Sequence, residues 1–281
     1  MKQQNHKKYA IIGAGIATTA LTAALLWGNC AITVTNYTLT SSKLPEAFEH
    51  YRIVQVSDLH NTAFGKDNQT LLKKIQEAKP DSIVITGDLI DSRRTNLEVA
   101  LAFAACAVEI APCYYVAGNH ESRIDAVPEL REGLEELGVQ ILANEWLSIE
   151  KDGQYIQIAG IFDPKFYAQE VKPEVVQKLL AKALPPDGYT ILLAHRPEYF
   201  DVYAEQGVDL VFCGHAHGGQ MRLPVVGGLY APGQGVLPTY DAGLFQQKDT
   251  TMVVSRGLGN SLFPLRVNNR PELVVVELRC E

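Results

Sequence analysis

The chain has 281 residues, 47% of them hydrophobic, and carries 25 basic and 32 acidic side chains. This length allows one large domain with a substantial buried core. Residues 46–281 hold 21 of the basic and all 32 of the acidic side chains, a net charge of −11, which argues against binding to the phosphate backbone of nucleic acids. The five cysteines are odd in number and lack CxxC spacing, so neither a disulfide framework nor a structural zinc ribbon is expected.

The N-terminus has the pattern of a membrane-targeting segment. Residues 1–8 form a basic tail with lysines, and residues 9–28 form an uncharged, mostly apolar run. About 20 such residues cross a bilayer, so we predict a retained signal anchor, a transmembrane helix at 9–28. Lysines on its N-terminal side place the N-terminus in the cytoplasm. The predicted location is the cell membrane, with a single pass and the folded domain on the extracytoplasmic side.

The rest of the chain alternates between apolar strands and helices. Residues 33–44 are β-branched and polar, so we predict that residues 29–45 are a linker or a first strand. The predicted helices cover 71–78, 96–110, 128–137 and 175–183, and the predicted strands cover 52–56, 82–86, 113–117, 139–142, 147–149, 155–161, 189–194, 209–212, 251–254 and 273–278. No second domain boundary is apparent in this pattern. It predicts a single layered α/β domain at 46–281.

Five of the predicted strands end in side chains that can bind metal ions. In chain order these are Asp58 with His60, Asp88, Asn119, His195, and His215 with His217. His215 and His217 are two residues apart, and such a pair projects to the same side of an extended backbone. Asn119 and His120 follow a buried strand directly, so they need polar partners, which a metal centre supplies.

These seven candidate ligands are too many for one tetrahedral metal ion and suit two metal ions that share a bridging ligand. Only a carboxylate in a central position bridges efficiently, and Asp88 is the natural candidate. All seven side chains offer nitrogen or oxygen atoms, which favours manganese, iron or zinc. The sequence therefore predicts two divalent metal ions as cofactors.

A resemblance to the calcineurin-like metallophosphoesterase family is carried by five ordered motifs. They are Asp58-x-His60, Gly87-Asp88, Gly118-Asn119-His120-Glu121, His195 and Gly214-His215-Ala216-His217. Residues 214–220, 228–233 and 255–261 resemble more closely the YkuE-like, membrane-attached bacterial branch of phosphohydrolases. Some members of that branch carry a twin-arginine export signal, where this chain has lysines.

The resemblance implies a fold and a division of the ligands. The implied fold is a four-layer α-β-β-α sandwich of two mixed sheets, here following the N-terminal membrane helix. The implied ligands are Asp58, His60, Asp88 and His217 around one metal ion, and Asp88, Asn119, His195 and His215 around the other.

The predicted function is dinuclear-metal-dependent hydrolysis of phosphate esters. Two cations about 3.5–4 Å apart hold a bridging hydroxide and clamp the phosphoryl oxygens during in-line attack. We assign His120 to stabilising the developing charge and protonating the leaving oxygen. The bond cleaved can be a phosphomonoester, a phosphodiester or a pyrophosphate.

Two alternative functions stay open. One is a pyrophosphatase of a nucleotide-linked lipid or sugar, because an anchor would hold the site near lipid head groups. The other is a membrane-tethered metal-binding or surface-binding protein without turnover. The expected partners are a phosphorylated small-molecule or lipid-linked substrate and the membrane itself, with no nucleic acid, and the oligomeric state is left open.

Overall fold

The computed structural model describes residues 26–260 and 263–281, together with Ile12, Gly13, Gly15, Ile16, Thr18, Thr19 and Thr22. The basic tail 1–8 and half of the predicted signal anchor 9–28 lie outside the described residues. Within the described part, no helix has the length and apolar character that crossing a bilayer requires. The signal anchor therefore stays a prediction.

Strands and helices follow one another along most of the described chain. The strands are β1 (Thr33–Ser41), β2 (Arg52–Val56), β3 (Ser82–Thr86), β4 (Cys113–Val116), β5 (Gln140–Ile141), β6 (Glu145–Lys151), β7 (Gln154–Gly160), β8 (Thr190–Leu193), β9 (Leu210–Cys213), β10 (Arg222–Leu223), β11 (Gly227–Gly228), β12 (Tyr230–Ala231), β13 (Gly235–Val236), β14 (Gly243–Gln247), β15 (Thr250–Val254) and β16 (Glu272–Cys280). The helices after β1 are α1 (Gln69–Ala78), α2 (Leu97–Ala107), α3 (Val127–Glu136), α4 (Pro173–Ala183) and α5 (Phe200–Glu205). α3 and α4 each have a proline in the first turn. Proline has no backbone N–H, and it is tolerated there because the N–H groups of the first turn have no acceptor within the helix.

Two six-stranded mixed sheets form the framework. The first has the strand order β1-β16-β2-β3-β4-β5, in which only β16 and β2 pair in antiparallel fashion. The second has the order β14-β15-β9-β8-β7-β6, with three central parallel pairs and an antiparallel pair at each edge. The predicted pair of mixed sheets flanked by helices is confirmed.

The buried apolar side chains define the layers. In β8, Ile191 and Leu193 pack in one cluster, which also holds side chains of the first sheet and of α1, α2 and α3. Leu192 points the other way, into a second cluster with side chains of α4 and α5. Since alternate strand residues face opposite sides, the second sheet lies between the first sheet and α4–α5. Each fully buried aliphatic side chain contributes about 1.5–3 kcal/mol, so these clusters hold the layers together.

Residues 29–45 contribute a strand to the first sheet. β1 pairs in parallel with β16 from the Thr33–Glu272 pair to the Ser41–Cys280 pair. The sheet therefore includes residues that precede position 46, where the sequence pattern placed the start of the domain. The pattern could not choose between linker and strand, because the partner strand lies at the other end of the chain.

Three features are absent from the sequence-based prediction. α5 spans six residues, which is too short to show a helical period. The hairpins β10–β11 and β12–β13 lie in a stretch rich in glycine and proline, which signals turns but no strand alternation. β14 pairs with β15 at the edge of the second sheet.

The ends of parallel strands from both sheets meet in one place. β2, β3 and β4 run in parallel in the first sheet, and β8 and β9 run in parallel in the second. Gln55 links the two sheets there, since its Nε2 donates to Oγ1 of Thr86 at 2.9 Å and to the carbonyl oxygen of Cys213 at 2.8 Å. The residues that follow these strands are thereby brought into one buried region.

Candidate metal centre

All eight site residues predicted from the sequence are buried in this region. Six of them form two groups in which the potential ligand atoms lie within 4.8 Å of one another. The first group is Asp58, His60, Asp88 and His217, and the second is Asp88, His195 and His215. Asp88 belongs to both groups, which is the position that a bridging ligand requires.

In the first group, ring nitrogens and carboxylate oxygens converge. Nε2 of His60 lies 3.2 Å from Nε2 of His217 and 3.7 Å from Oδ2 of Asp88. Oδ1 of Asp58 lies 3.3 Å from Nε2 of His217. Atoms that carry lone pairs repel each other at such distances unless a proton or a cation lies between them. The arrangement therefore suits a cation.

The second group lies on the other side of Asp88. Nε2 of His195 is 3.2 Å from Oδ2 of Asp88 and 3.2 Å from Nδ1 of His215. Nδ1 of His195 is 2.7 Å from the Thr86 carbonyl oxygen and donates to it, so Nε2 is the atom presented to Asp88. Oδ1 of Asn119 is buried without a hydrogen-bond partner and lines the same cavity as Asp88. Because such an oxygen costs free energy when left unpaired, a cation here would satisfy it.

The backbone at these strand ends is strained. Positive φ values occur at Asp58 (52°), His60 (47°), Asp88 (50°), His215 (66°) and His217 (49°). Residues other than glycine adopt this conformation rarely, and each instance costs of order 1–3 kcal/mol. Five such residues in one site indicate that the directions of their side chains are maintained at the expense of stability.

His215 and His217 are divided between the two groups. The same-side argument assumed an extended backbone, but His215 has a positive φ and His217 begins a short 3₁₀ turn at His217–Gly219. That assumption was wrong, because the strand β9 ends two residues before His215. The loop that carries the two rings instead spans both groups.

Two glycines let the strand ends approach each other. At Gly87, φ is 88° and an added Cβ would lie 2.6 Å from Nδ1 of His195. At Gly214, an added Cβ would overlap the side chains of Ser57 and Asp58. No larger residue fits at either position, so both glycines are needed for the ligands to converge.

Burial keeps most of the imidazoles neutral in the metal-free protein. It lowers the pKa of His60 to about 4 and the pKa values of His215 and His217 well below the ordinary value. Burial alone would also lower the pKa of His195, but the Asp88 carboxylate overrides it and raises this pKa to about 10. Burial raises the pKa of Asp58 to about 6. At pH 8, His195 is therefore the protonated ring among these ligands.

Metal binding at pH 8 is expected to displace the proton of His195, because a ligand nitrogen needs its lone pair. The wild-type protein should release about one proton more than His195→Asn when each is loaded with zinc, since the substituted amide has no proton to lose. Calorimetry in buffers of different ionisation enthalpy measures the difference. Equal proton release by the two proteins would show that His195 is not a ligand.

Glu121 supports the site from behind, a role that the sequence pattern did not predict. Its Oε2 accepts hydrogen bonds from the N–H groups of Asp88 at 3.0 Å and Gly118 at 2.8 Å, and its Oε1 accepts from Ile90 N–H at 3.2 Å. Burial raises the pKa of Glu121 to about 8, and repulsion from Asp88 adds to the effect. The side chain joins the ends of β3 and β4 and fixes the backbone of Asp88. The one signal in the sequence was its place directly after His120.

Glu121→Gln is expected to weaken metal binding by about 10–100-fold, the range for residues that orient ligands. The amide has a single oxygen, so its NH₂ group would face at least one of the backbone N–H groups that the two carboxyl oxygens now satisfy. Metal titration of the purified protein measures the change. Glu135→Gln, at an exposed position in α3, is the matched control and should bind like wild type. Wild-type affinity in Glu121→Gln would contradict the supporting role.

His120 offers a hydrogen-bond donor to the site. Its Nδ1 accepts a hydrogen bond from the Ser92 N–H at 3.1 Å. Burial lowers the pKa of His120, so the ring is neutral and has one N–H. That N–H must be at Nε2, because Nδ1 already accepts. The ring centroid lies 4.5 Å from that of His60, so His120 stands beside the first group.

Two cavities adjoin the ligand groups. The smaller has a volume of about 310 Å³ and is lined by Asp88, Asn119, His120, Arg123, His215, Ala216, His217, Gln220, Tyr230, Pro232 and Phe263. The larger has a volume of about 600 Å³ and is lined by His60, Asn61, Thr62, Asp91, Arg93, Arg94, Asn260 and Pro264. Arg123 and Arg94 are both exposed, and within the described residues neither has a carboxylate at ion-pair distance. Each cavity thus has an arginine that can bind an anion.

Known proteins share this sequence pattern. The sequence profile of the calcineurin-like phosphoesterases matches residues 51–219. The chain belongs to the calcineurin-like phosphoesterase family. It is 30% identical to the uncharacterized metallophosphoesterase YkuE of Bacillus subtilis, over 99% of each chain. It is 30% identical to the phosphodiesterase YaeI of Escherichia coli, over 81% of this chain and 82% of that one.

A longer relative occurs in Bos taurus and is described as a transmembrane protein with metallophosphoesterase domain. It is 31% identical to this chain, and the match covers 88% of this chain and 57% of the relative. The family prediction is confirmed by these matches, and the chain is a metal-dependent phosphohydrolase. Its buried Asp/His groups fit the dinuclear metal site that is typical of calcineurin-like phosphoesterases.

Proposed function

We propose that this calcineurin-like enzyme hydrolyses phosphodiester bonds with two divalent cations, drawn from manganese, iron and zinc. The observation that carries the proposal is the position of Asp88 in both ligand groups. Asp58, His60 and His217 would complete the site of one cation, and Asn119, His195 and His215 that of the other. When bound, the cations acidify a water molecule and neutralise charge on the phosphoryl oxygens.

The protein's own groups account for orientation and for stabilisation of the leaving oxygen. Because the His120 ring is neutral, it keeps its remaining proton, and its Nε2–H donates a hydrogen bond to the oxygen that leaves, where negative charge develops. Arg123 lies at the wall of the same cavity, and its guanidinium binds a phosphoryl oxygen and orients the ester. Glu121 keeps the Asp88 backbone in place while this happens.

Space on both sides of the centre supports a diester rather than a monoester. The smaller cavity is bounded by His120, His215 and His217, and the larger one begins at His60 and Asp91. A phosphodiester has substituents on two of its oxygens, and each cavity takes one of them. The Escherichia coli relative YaeI is described as a phosphodiesterase, which agrees with this choice.

A pyrophosphate in a nucleotide-linked lipid or sugar is the second candidate substrate. Arg94 favours it, because this exposed guanidinium lines the larger cavity next to Arg93 and can bind a second phosphate. Arg93 itself is held by Asp91, with Nη2 at 2.8 Å from Oδ2, so Arg94 is the residue available for the ligand.

The test is a substrate comparison with the full-length, metal-loaded protein. We expect kcat/KM for bis(p-nitrophenyl) phosphate to exceed that for p-nitrophenyl phosphate by at least about tenfold, a difference of about 1.4 kcal/mol in transition-state binding. Preference for the monoester would contradict the diester proposal. Faster release of nucleoside monophosphate from a nucleotide sugar would select the second candidate. A fully metal-loaded protein without turnover on all three would contradict both candidate substrates.

We also propose that residues 9–28 anchor the enzyme in the cell membrane with its catalytic domain outside. The uncharged run after a lysine-rich start supports this placement, as does the transmembrane description of the Bos taurus relative. Protease added to intact spheroplasts should digest the domain, and recovery of the enzyme in the soluble cell fraction would contradict the proposal.

A further inference from the structure

Exposed apolar side chains cluster around the mouth of the smaller cavity. We define this apolar collar as the exposed apolar side chains of residues 221–237 and 263–267. Val225, Val226 and Leu237 are each more than half exposed. Contiguous apolar surface of this kind on a folded protein marks a site of interaction with a partner or a membrane.

The collar is continuous with the wall of the site. Tyr230 and Phe263 belong to its two segments and also line the cavity that contains Asp88. The segments are joined, since Arg222 N–H donates to the Val267 carbonyl at 3.0 Å. If a ligand at the metal centre has an apolar part that extends out of the cavity, that part therefore contacts the collar.

Backbone strain presents two of these side chains to solvent. Val225 has a φ of 70° at the tip of the β10–β11 hairpin, and Leu237 has a φ of 54° just after β13. A β-branched residue at positive φ is a rare outlier, and glycine or asparagine would relieve the strain. Fold stability alone does not explain a strained, exposed valine, whereas insertion of its side chain into an apolar phase does.

The charge of the collar differs from that of the rest of the protein. Residues 219–238 and 263–270 contain three arginines and no acidic residue, although the chain carries 32 acidic residues and a net charge of −7. Arg266 is buried and Arg222 pairs with Asp241 at 2.9 Å, whereas the partly exposed Arg270 has no carboxylate at ion-pair distance within the described residues. Arg270 is therefore the cation that this face offers to the head groups of a bilayer that contains anionic lipids.

The apolar N-terminal run enters the domain at the same face. The Arg270 guanidinium lies 4.2 Å from the ring centroid of Trp27, and Arg266 N–H donates to Oδ1 of Asn29 at 2.9 Å. Residues 9–28 therefore end beside segment 263–270, next to the collar. A bilayer that holds the run meets the domain on this side.

We propose that the apolar collar docks on the surface of a lipid bilayer, so that the metal centre opens toward the membrane and acts on amphiphilic phosphodiesters whose apolar part stays in the lipid. The substrate part of this inference rests on the proposed phosphodiesterase function. The docking part does not, because it follows from the exposed side chains, their strain and their charge.

Docking is tested by a tryptophan reporter in the full-length protein, reconstituted in vesicles of phosphatidylcholine and phosphatidylglycerol with brominated acyl chains. The two native tryptophans are replaced by Trp27→Phe and Trp146→Phe, and Val225→Trp supplies the reporter. We expect bromine to quench its emission by at least about half, because the indole lies at the depth of the acyl chains. Tyr155→Trp in the same background is the control, since Tyr155 is exposed at the start of β7, the opposite end of the sheet from the site.

Equal quenching of the Val225→Trp and Tyr155→Trp reporters would overturn the proposal. So would a dimer in detergent solution that Val225→Glu/Val226→Glu dissociates, because the collar would then be covered by a second copy of the chain. Weaker quenching in vesicles of phosphatidylcholine alone would support the role of Arg270.

The substrate part is tested with the charged variant Val225→Glu/Val226→Glu. Hydrolysis of a long-chain alkyl nitrophenyl phosphodiester in vesicles should fall by about tenfold or more, while hydrolysis of bis(p-nitrophenyl) phosphate in water stays unchanged. Leu147→Glu/Tyr155→Glu is the control and should leave both rates unchanged. An equal loss on both substrates would overturn the inference. Absence of activity on both in the wild type would refute the phosphodiesterase function, while the quenching result would still decide the docking.

Discussion

Asp88→Asn is expected to remove both metal ions and to lower phosphodiester hydrolysis by more than about a hundredfold, beyond the 10–100-fold typical of a lost orienting residue. The reason is that Oδ2 of Asp88 is the atom common to both groups, at 3.7 Å from Nε2 of His60 and 3.2 Å from Nε2 of His195. An amide has no negative charge to share between two cations. Metal analysis after gel filtration, together with the rate on bis(p-nitrophenyl) phosphate, measures both effects.

Asp209→Asn is the control for this experiment. Asp209 is also a buried aspartate, but it precedes β9 at the end of the strand away from the site and pairs with Lys43 at 2.9 Å. Its replacement should leave two metal ions bound. If Asp88→Asn also retains two metal ions, then Asp88 does not bridge them.

His120→Ala is expected to lower hydrolysis by about 10²–10³-fold, the range for losing one hydrogen-bond donor to developing charge, while both metal ions stay bound. His120 lies beside the ligand groups without belonging to either of them. Its Nε2–H, fixed by the bond from Ser92 to Nδ1, is the donor that the alanine lacks. The loss should be smaller for an ester with a good leaving group, such as nitrophenolate, than for an alkyl ester, because nitrophenolate needs less stabilisation of its negative charge.

His50→Ala serves as the matched control, since His50 is an exposed histidine that pairs with Glu277 at 3.2 Å. It should hydrolyse both esters at the wild-type rate. Loss of metal from His120→Ala, or the same loss of rate on both esters, would contradict the assignment of His120 as the hydrogen-bond donor to the leaving oxygen.

Most of the predictions about the site rest on one sequence pattern, in which a polar side chain follows an apolar strand. The chain has seven histidines, and five of them directly follow or lie near the end of a strand. Continuous apolar runs such as Ser82–Thr86 are short and buried on both faces, so their bounds are visible without a structure. A polar residue placed directly behind such a run stands out for the same reason.

What the sequence did not predict depends on contacts between distant segments. Glu121 accepts from the N–H of Asp88, which lies in another loop, and nothing local marks this bond. The positive φ of His215 and His217 follows from the approach of other strand ends, so a rule for extended backbone failed there. The sequence pattern did not predict the apolar collar, because its valines face outward and show no period.

The parallel pairing of β1 with β16 also has a consequence for biosynthesis. β1 is an edge strand whose neighbour in the sheet is β16, and the last pair joins Ser41 to Cys280. β1 therefore has no strand to pair with until β16 has been synthesised. β2 also lacks its antiparallel partner until then. Contacts so far apart in sequence form slowly. The first sheet thus stays incomplete until β16 has been synthesised, so this domain cannot finish folding while its last strand is still inside the ribosome.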